Sequence, residues 1–281
     1  MLKNKKIGFV GAGNMASAIA SGLNRMSFKN LSFSDINNDR LKYIIEQYNP
    51  IVTTDDNSKI INENDIIILA VKPQNIKNVL FNIKIDDNVV NKKLIISIAA
   101  GISIENIESV IYSKIGSNSY KNYPIIRVMP NTPALVLAGM TALSYNKYVT
   151  KDDIEIVHAI FKSMGDIIEV EEKQMDAITA ISGSGPAYVF YFVEALIEAA
   201  KELLFSEEES TLLAYKTFEG AVKLLNNQKQ SPKELRKQVT SPGGTTEAAI
   251  KTMDNEKIKE IFIMAVKNAE KRAKELNKLL F

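Results

Sequence analysis

Cysteine is absent from this 281-residue chain, and histidine occurs once, as His158. The first absence excludes disulfides, thiol nucleophiles and thiolate metal sites together. The second excludes a poly-histidine metal centre and leaves one candidate for imidazole acid–base chemistry. An excess of one charge is missing too: 35 Lys+Arg against 33 Asp+Glu leave +2, too balanced for a general nucleic-acid binder. No unbroken apolar run approaches the roughly 18 residues of a membrane span. The opening Met1-Leu2-Lys3-Asn4-Lys5-Lys6 leads straight into a strand-like segment, with no apolar signal region before it. The expected setting is cytoplasmic, with neither membrane nor nucleic acid as partner. What is present, 46% hydrophobic and 24% charged residues, is ordinary globular composition. The length suits about two domains of roughly 100–200 residues each.

Short β-branched runs alternate with amphipathic stretches in the first part of the chain. Residues 6–10 read as a strand, 15–26 as a helix, 31–34 as a second strand and 38–48 as a helix, with Leu41, Ile44, Ile45 and Tyr48 at helical spacing. Residues 66–71 and 94–99 are nearly unbroken apolar runs, as in strands covered on both faces. Residues 125–129 form a further strand ending at Pro130. Strands alternating with helices imply βαβ units, hence an α/β, Rossmann-like, doubly wound sheet over residues 1–170. Beyond that point the strand signal fades. Residues 188–204, 210–225 and 256–279 carry helical periodicity, broken by Ser-Gly-Ser-Gly-Pro at 182–186 and Ser-Pro-Gly-Gly at 241–244. Residues 171–281 therefore read as an all-α C-terminal domain. Its helices are apolar around much of their circumference, most visibly at 187–193, and need burial on more than one side. That invites a subunit partner.

Gly11-Ala12-Gly13-Asn14-Met15-Ala16 follows a predicted strand and opens a predicted helix, the G-x-G-x-x-G/A dinucleotide pattern with alanine last. Gly11 allows the tight turn, Gly13 lets the backbone approach a pyrophosphate, and Ala16 keeps helix and strand close. The helix N-terminus offers free N–H groups and partial positive charge to the anion. Asp35, about 20 residues on, sits where an acid binds the ribose 2′-hydroxyl of NAD and repels a 2′-phosphate, which leans towards NADH. Asn37, Asn38 and Arg40 lie near enough to cradle such a phosphate if Asp35 turns away, and Asp35 also suits a plain helix cap. Ala70-Val71-Lys72-Pro73-Gln74 and Ser97-Ile98-Ala99-Ala100-Gly101 end two further strands on the ligand side. Their small residues let a ribose and nicotinamide lie against backbone. Lys72 is either a phosphate or ribose contact or a solvated loop lysine.

Three segments remain for a substrate. The run from Arg127 to Val136, with Met129, Asn131 and Thr132, leaves a strand into a loop pinned by Pro130 and Pro133, which holds Asn131 and Thr132 with little freedom. The run from Met175 to Tyr188 contains Gly183-Ser184-Gly185-Pro186, read as a helix entrance with Ser184 as cap and Pro186 in the first turn. Its spacing is not that of a hydrolase nucleophile elbow. Val239-Thr240-Ser241-Pro242-Gly243-Gly244-Thr245-Thr246-Glu247 combines two glycines, several hydroxyls and a following helix into a donor-rich cradle suited to a carboxylate.

Taken with Gly11–Ala16 and the 70–74 segment, these stretches resemble the pyrroline-5-carboxylate reductase family through nearly the whole chain. The 241–246 and 182–188 segments are the specific part. The resemblance implies reduction of the cyclic imine 1-pyrroline-5-carboxylate to L-proline with NADP(H) or NAD(H), the final step of proline biosynthesis. It implies an interlocked homodimer built from the C-terminal helices, often assembled into a larger ring. It assigns Gly11, Ala12, Gly13, Asn14, Met15, Ala16, Asp35, Asn57, Ala70, Val71, Lys72, Pro73, Ala99 and Ala100 to the cofactor. Met129, Asn131, Val239, Ser241, Gly244, Thr245 and Thr246 fall to the substrate. Asp35 departs from the small polar or basic residue common in NADPH-using members.

The chemistry suits the inventory. A cyclic imine is already electrophilic, so hydride transfer needs no metal and no covalent nucleophile. The protein must supply positioning, which contributes up to about 7–11 kcal/mol in well-oriented systems. The Thr246 hydroxyl would orient the ring nitrogen, since an unionised threonine is a poor acid; on local grounds alone the better reading is a first-turn hydroxyl satisfying helix N–H groups. His158, beside the buried stripe of residues 152–164, reads as structural or surface. Two alternatives stand at this point: a related imine or β-hydroxyacid reductase, and a non-catalytic dinucleotide sensor.

Overall fold

The computed structural model describes residues 2–86 and 92–280. Eight strands are seen among the described residues: β1 (Ile7–Val10), β2 (Leu31–Ser34), β3 (Val52–Thr54), β4 (Ile66–Leu69), β5 (Leu94–Ser97), β6 (Ile125–Met129), β7 (Gly139–Tyr145) and β8 (Gly165–Glu169). They form one sheet in the order β3-β2-β1-β4-β5-β6-β7-β8. Pairing is parallel from β3 through β6; β7 runs antiparallel to β6, and β8 parallel to β7. Between these strands lie α1 (Asn14–Arg25), α2 (Asn38–Tyr48), α3 (Asn57–Glu63), α4 (Pro73–Asn82), α5 (Ile104–Tyr112) and α6 (Lys151–Lys162).

The unbroken apolar runs are explained by two cores. Ile66 and Ile68 of β4 join one cluster with Phe9, Ile19, Leu23 and Phe161; Ile67 and Leu69 join the other with Ile61, Ile76, Leu80 and Ile107. Strand period two thus feeds both faces, and each face is roofed by helices. Phe9 and Phe33 stack across β1 and β2 at 4.5 Å. Each fully buried side chain of this size contributes about 1.5–3 kcal/mol. At the foot of the sheet the buried Lys93 donates to the Asn62 and Asn64 carbonyls at 2.7 and 2.9 Å, and burial pulls its pKa down.

The helical part comprises α7 (Met175–Ile178), α8 (Gly185–Glu202), α9 (Glu207–Asn227), α10 (Pro232–Gln238), α11 (Thr245–Asn255) and α12 (Ile258–Leu280). The chain divides into two compact units, Met1–Ser184 with Ala269–Phe281, and Gly185–Asn268. In the second, α8 lies on α9, and Tyr188 and Phe192 of α8 meet Phe262 of α12. Yet within it only Ser210, Ala214 and Leu235 are buried, while Phe190, Tyr191 and Leu204 are 61%, 69% and 93% exposed.

The expectation of Ser184 as a helix cap needs correction. Its backbone is itself helical (φ −84°, ψ −17°), and its N–H bonds to the Thr179 carbonyl five residues back. Thr179–Gly183 is a π-type turn between α7 and α8. A local capping rule loses here because a widened turn absorbs the small residues without ending the helix. Pro186 does stand in the first turn of α8. The helical stretch Glu172–Glu202 is long and apolar enough by composition to cross a membrane. The search for an unbroken apolar run passes over it because Glu194 and Glu198 interrupt the sequence.

Candidate functional site

Strand order reverses between β1 and β4, so the carboxyl ends of β1, β4 and β5 open onto the crevice where such sheets take ligands. Gly11 follows β1 with φ +101°, a conformation L-residues rarely adopt, and a Cβ there would lie 2.8 Å from the Ala70 carbonyl oxygen. Its N–H donates to the Ser34 carbonyl at 2.8 Å. Gly13 is the N-cap of α1 and has open space where a Cβ would sit. Ala12 and Ala16 are buried, while Asn14 is exposed at the helix mouth. Ala70 donates to the Val10 carbonyl, and Ile98 to the Leu69 carbonyl, so the three strand exits are laced together by backbone. Ala99 is buried beneath this edge, and Lys72 is exposed above it as the N-cap of α4.

Asp35 is turned towards the glycine loop. One carboxylate oxygen accepts from Ala12 N–H and the other from Asn37 N–H, both at 2.8 Å. It is not the cap of α2: Asn37 is, accepting from Asp39 and Arg40 N–H. Two oxygens with about four lone-pair sites still leave room for a further donor. Arg40 reaches back to the same loop, donating from Nε to the Ala12 carbonyl at 2.9 Å and from Nη2 to Ser17 Oγ at 3.2 Å. Ser34 Oγ donates to Asn57 Oδ1 at 2.7 Å, placing Asn57 beside the β2 exit. Tyr48 donates to the Ser17 carbonyl on the other flank of α1, and burial pushes its pKa up.

In the helical unit, Gly243 takes φ +74° and Gly244 caps α11. A Cβ on Gly244 would stand 2.6 Å from Ser241 Oγ, so Ser241 packs directly on the turn. Glu247 folds back to accept from Gly243 N–H at 2.8 Å. Thr245 is exposed and Thr246 half-buried in the first turn, and the Thr246 hydroxyl has no hydrogen-bond partner among the described residues. Val239 is exposed just after α10.

Helix capping differs along the chain. Asn37, Asp56, Ser103, Thr150, Ser206 and Ser231 each cap a helix through the side chain. By contrast α1, α4 and α11, the helices that open at the 11–16, 70–74 and 241–246 segments, have no side-chain cap, and neither has the short α7. In α1 and α11 the first-turn N–H groups are free to meet an acceptor such as an anion, whereas α4 opens on Pro73, which has no N–H, and its Asn75 N–H bonds the Lys72 carbonyl.

At the end of β6, Asn131 is engaged on both sides: Oδ1 accepts from Met140 N–H at 2.9 Å, and Nδ2 donates to Ser182 Oγ at 3.3 Å. Met129 packs so closely that a Cβ on Gly183 would be 2.4 Å from its methyl carbon. Sequence reasoning gives no role to Arg127, Glu172 and Asp176, which form an ion cluster around the buried Arg127, whose Nη1 and Nη2 are each 2.9 Å from an oxygen of a half-buried carboxylate. The signal is an arginine inside an apolar strand, since a buried charge needs partners. His158 pairs with Glu169 on the surface at 3.0 Å, away from every candidate loop in the chain order.

Known proteins bear directly on this arrangement. Residues 172–276 match the family model described as pyrroline-5-carboxylate reductase dimerisation, and residues 6–101 that of NADP oxidoreductase, coenzyme F420-dependent. A pyrroline-5-carboxylate reductase of Methanosarcina acetivorans is 36% identical over 280 residues, covering 99% of this chain and 100% of the relative. The chain belongs to the pyrroline-5-carboxylate reductase family. Among solved structures, the Plasmodium falciparum pyrroline carboxylate reductase with NADP bound aligns with TM-score 0.84 at 34% identity, covering 98% of this chain and 99% of that one. The Coxiella burnetii pyrroline-5-carboxylate reductase aligns with TM-score 0.84 at 39% identity, covering 97% and 98%.

Membership in the pyrroline-5-carboxylate reductase family sets the β-hydroxyacid alternative aside and accords with a nicotinamide cofactor on the Rossmann-like unit. It also accounts for the bare apolar surface of α8 and α9: the dimerisation model spans both helices and most of the apolar stretch. A dimerisation match supports oligomerisation, and an exposed apolar patch of this kind is what an association surface presents.

Proposed function

We propose that this chain reduces the C=N bond of 1-pyrroline-5-carboxylate to give L-proline, with NAD(P)H as reductant. The observation that carries this reading is the pair of glycine-initiated helices without a side-chain cap, α1 and α11, each opening at a segment of the glycine-rich pattern. Gly11, Ala12, Gly13, Asn14, Met15 and Ala16 take the pyrophosphate on α1, and Asp35 takes the adenosine ribose through its remaining lone pairs. Asn57, Ala70, Val71, Lys72, Pro73, Ala99 and Ala100 line the rest of the dinucleotide. The nicotinamide, when bound, supplies the hydride that reaches the imine carbon, and a proton completes the ring nitrogen.

The residues fit that group: open space over Gly13 and free first-turn N–H groups suit a pyrophosphate, and the small Ala99 and Ala100 leave the sheet edge accessible. On α11, the N–H groups of Thr245 and Thr246, with Ser241 and the close turn at Gly244, hold the substrate carboxylate. The Thr246 hydroxyl faces the ring nitrogen, and Met129, Asn131 and Val239 are further candidates for the substrate. Residues 1–170 serve as the dinucleotide domain and 171–281 as the substrate and dimerisation domain. The exposed apolar face of α8 and α9 forms a homodimer, which further assembles into a ring. Sedimentation at micromolar protein is expected to give a dimer or a multiple of it; a monomer would overturn this part.

Asp35 favours NADH by repelling a 2′-phosphate. Replacing it with serine, which keeps an acceptor for Ala12 N–H, is expected to raise the NADPH/NADH ratio of kcat/KM at least tenfold, or about 1.4 kcal/mol. The deciding assay follows cofactor oxidation at 340 nm with 1-pyrroline-5-carboxylate, in parallel with NADH and NADPH. Imine-dependent oxidation of either supports the reading. Binding of dinucleotide without oxidation would make the chain a sensor instead.

A further inference from the structure

Three alternate residues of β6 and its exit, Arg127, Met129 and Asn131, run along the helical segment 172–183. Arg127, 3% exposed, is held between Glu172 and Asp176, and Glu172 Oε1 also accepts from Ile104 N–H at 3.1 Å. Met129 lies on Gly183, and Asn131 bonds Ser182. One end of this seam is ionic and centred on a buried arginine, and the other is a glycine contact and a single 3.3 Å hydrogen bond on the π-type turn. The weak end carries the residues assigned above to the substrate; the strong end touches nothing in that site. Arg127 pairs across the sheet with Ser97, one strand from Ala99, so the seam stands at the same carboxyl edge as the dinucleotide segments.

We propose that Arg127 is a positioning residue for the imine: by fixing Glu172 and Asp176 it sets where Ser182 and Gly183 stand, and these seat Met129 and Asn131. The proposal rests on the reading of the function given above. A guanidinium suits the place because its rigid planar fork gives each carboxylate its own nitrogen, Nη1 and Nη2, whereas a lysine would have to share one nitrogen between them. Arg127 makes no contact with the glycine loop, so its replacement leaves dinucleotide affinity alone.

The test is Arg127→Lys in the full chain. Expected are a fall in kcat/KM for the imine of at least tenfold, expressed mainly in KM, with the Kd for NADH unchanged within twofold. Amide hydrogen exchange across residues 131–136 is expected to quicken at least tenfold. Asp176→Asn, which keeps the Glu172 bond, moves all readouts in the same direction by less, and serves if the lysine variant does not fold. Imine kinetics within threefold of the wild type, or an equal loss of NADH affinity, overturns the proposal. If the wild type itself does not reduce the imine, the functional reading fails, and unchanged exchange in Arg127→Lys then overturns the seam on its own.

Discussion

Replacing Gly11 with alanine is expected to weaken dinucleotide binding by at least about a hundredfold, close to 2.7 kcal/mol. Two costs combine. A non-glycine residue at φ +101° stores about 1–3 kcal/mol of backbone strain. The new Cβ would also lie 2.8 Å from the Ala70 carbonyl oxygen and 2.9 Å from its carbon, which are backbone atoms with nowhere cheap to go. Ala70 is bound to the Val10 carbonyl at 2.8 Å, so relief falls on the glycine loop itself. The loop turns away, and the α1 N–H groups no longer converge on one anion. Enhancement of NADH fluorescence gives the Kd, and circular dichroism reports whether the sheet survives. A Kd within threefold of the wild type would show that the close approach at Gly11 is not what shapes the site.

Thr246→Ala is expected to lower kcat/KM for the imine by about 10- to 100-fold with little change in thermal stability. A hydrogen bond to a charged group contributes about 1.5–3 kcal/mol, and the ring nitrogen carries charge when protonated. The hydroxyl is uncommitted: Gly244, not Thr246, caps α11, and no described residue accepts from or donates to it. Loss of a capping hydroxyl would instead cost stability of about 0.5–2 kcal/mol, and the melting temperature separates the two roles. Thr246→Ser retains the hydroxyl and is expected to keep activity within about threefold. Survival of turnover in the alanine variant within a few-fold would remove Thr246 from the chemistry.

What the sequence made legible was local. The strand–turn–helix at 7–25 carries its glycines, its small residues and its apolar period within one short window, so Gly11–Ala16 could be placed without tertiary information. The two-faced strands β4 and β5 were equally plain, because four consecutive apolar residues in β4 and three before Ser97 in β5 leave no solvent face. Less legible were β7 and β8. β7 is buried at nearly every position, while β8 at the sheet edge is mostly exposed, so neither shows clean alternation.

Side-chain roles that depend on distant partners were harder still. Arg127 finds Glu172 and Asp176 at separations of 45 and 49 residues, which no spacing rule spans. Asp35 stood out as an acid after β2, but its use of both oxygens on backbone N–H groups belongs to the folded turn. Ser184 matched the local chemistry of a cap and was overruled by the helix already running into it from Met175.

The near absence of buried side chains in residues 185–268 has a thermodynamic consequence. Ser210, Ala214 and Leu235 cannot offset the conformational entropy of ordering five helices, so in the proposed homodimer that unit folds on the strength of surface supplied by the other copy. Its unfolding equilibrium then contains the protein concentration itself. Each tenfold dilution removes about 1.4 kcal/mol from the associated state, and the melting temperature drifts downward with it. For this chain, scarcity acts as a denaturant.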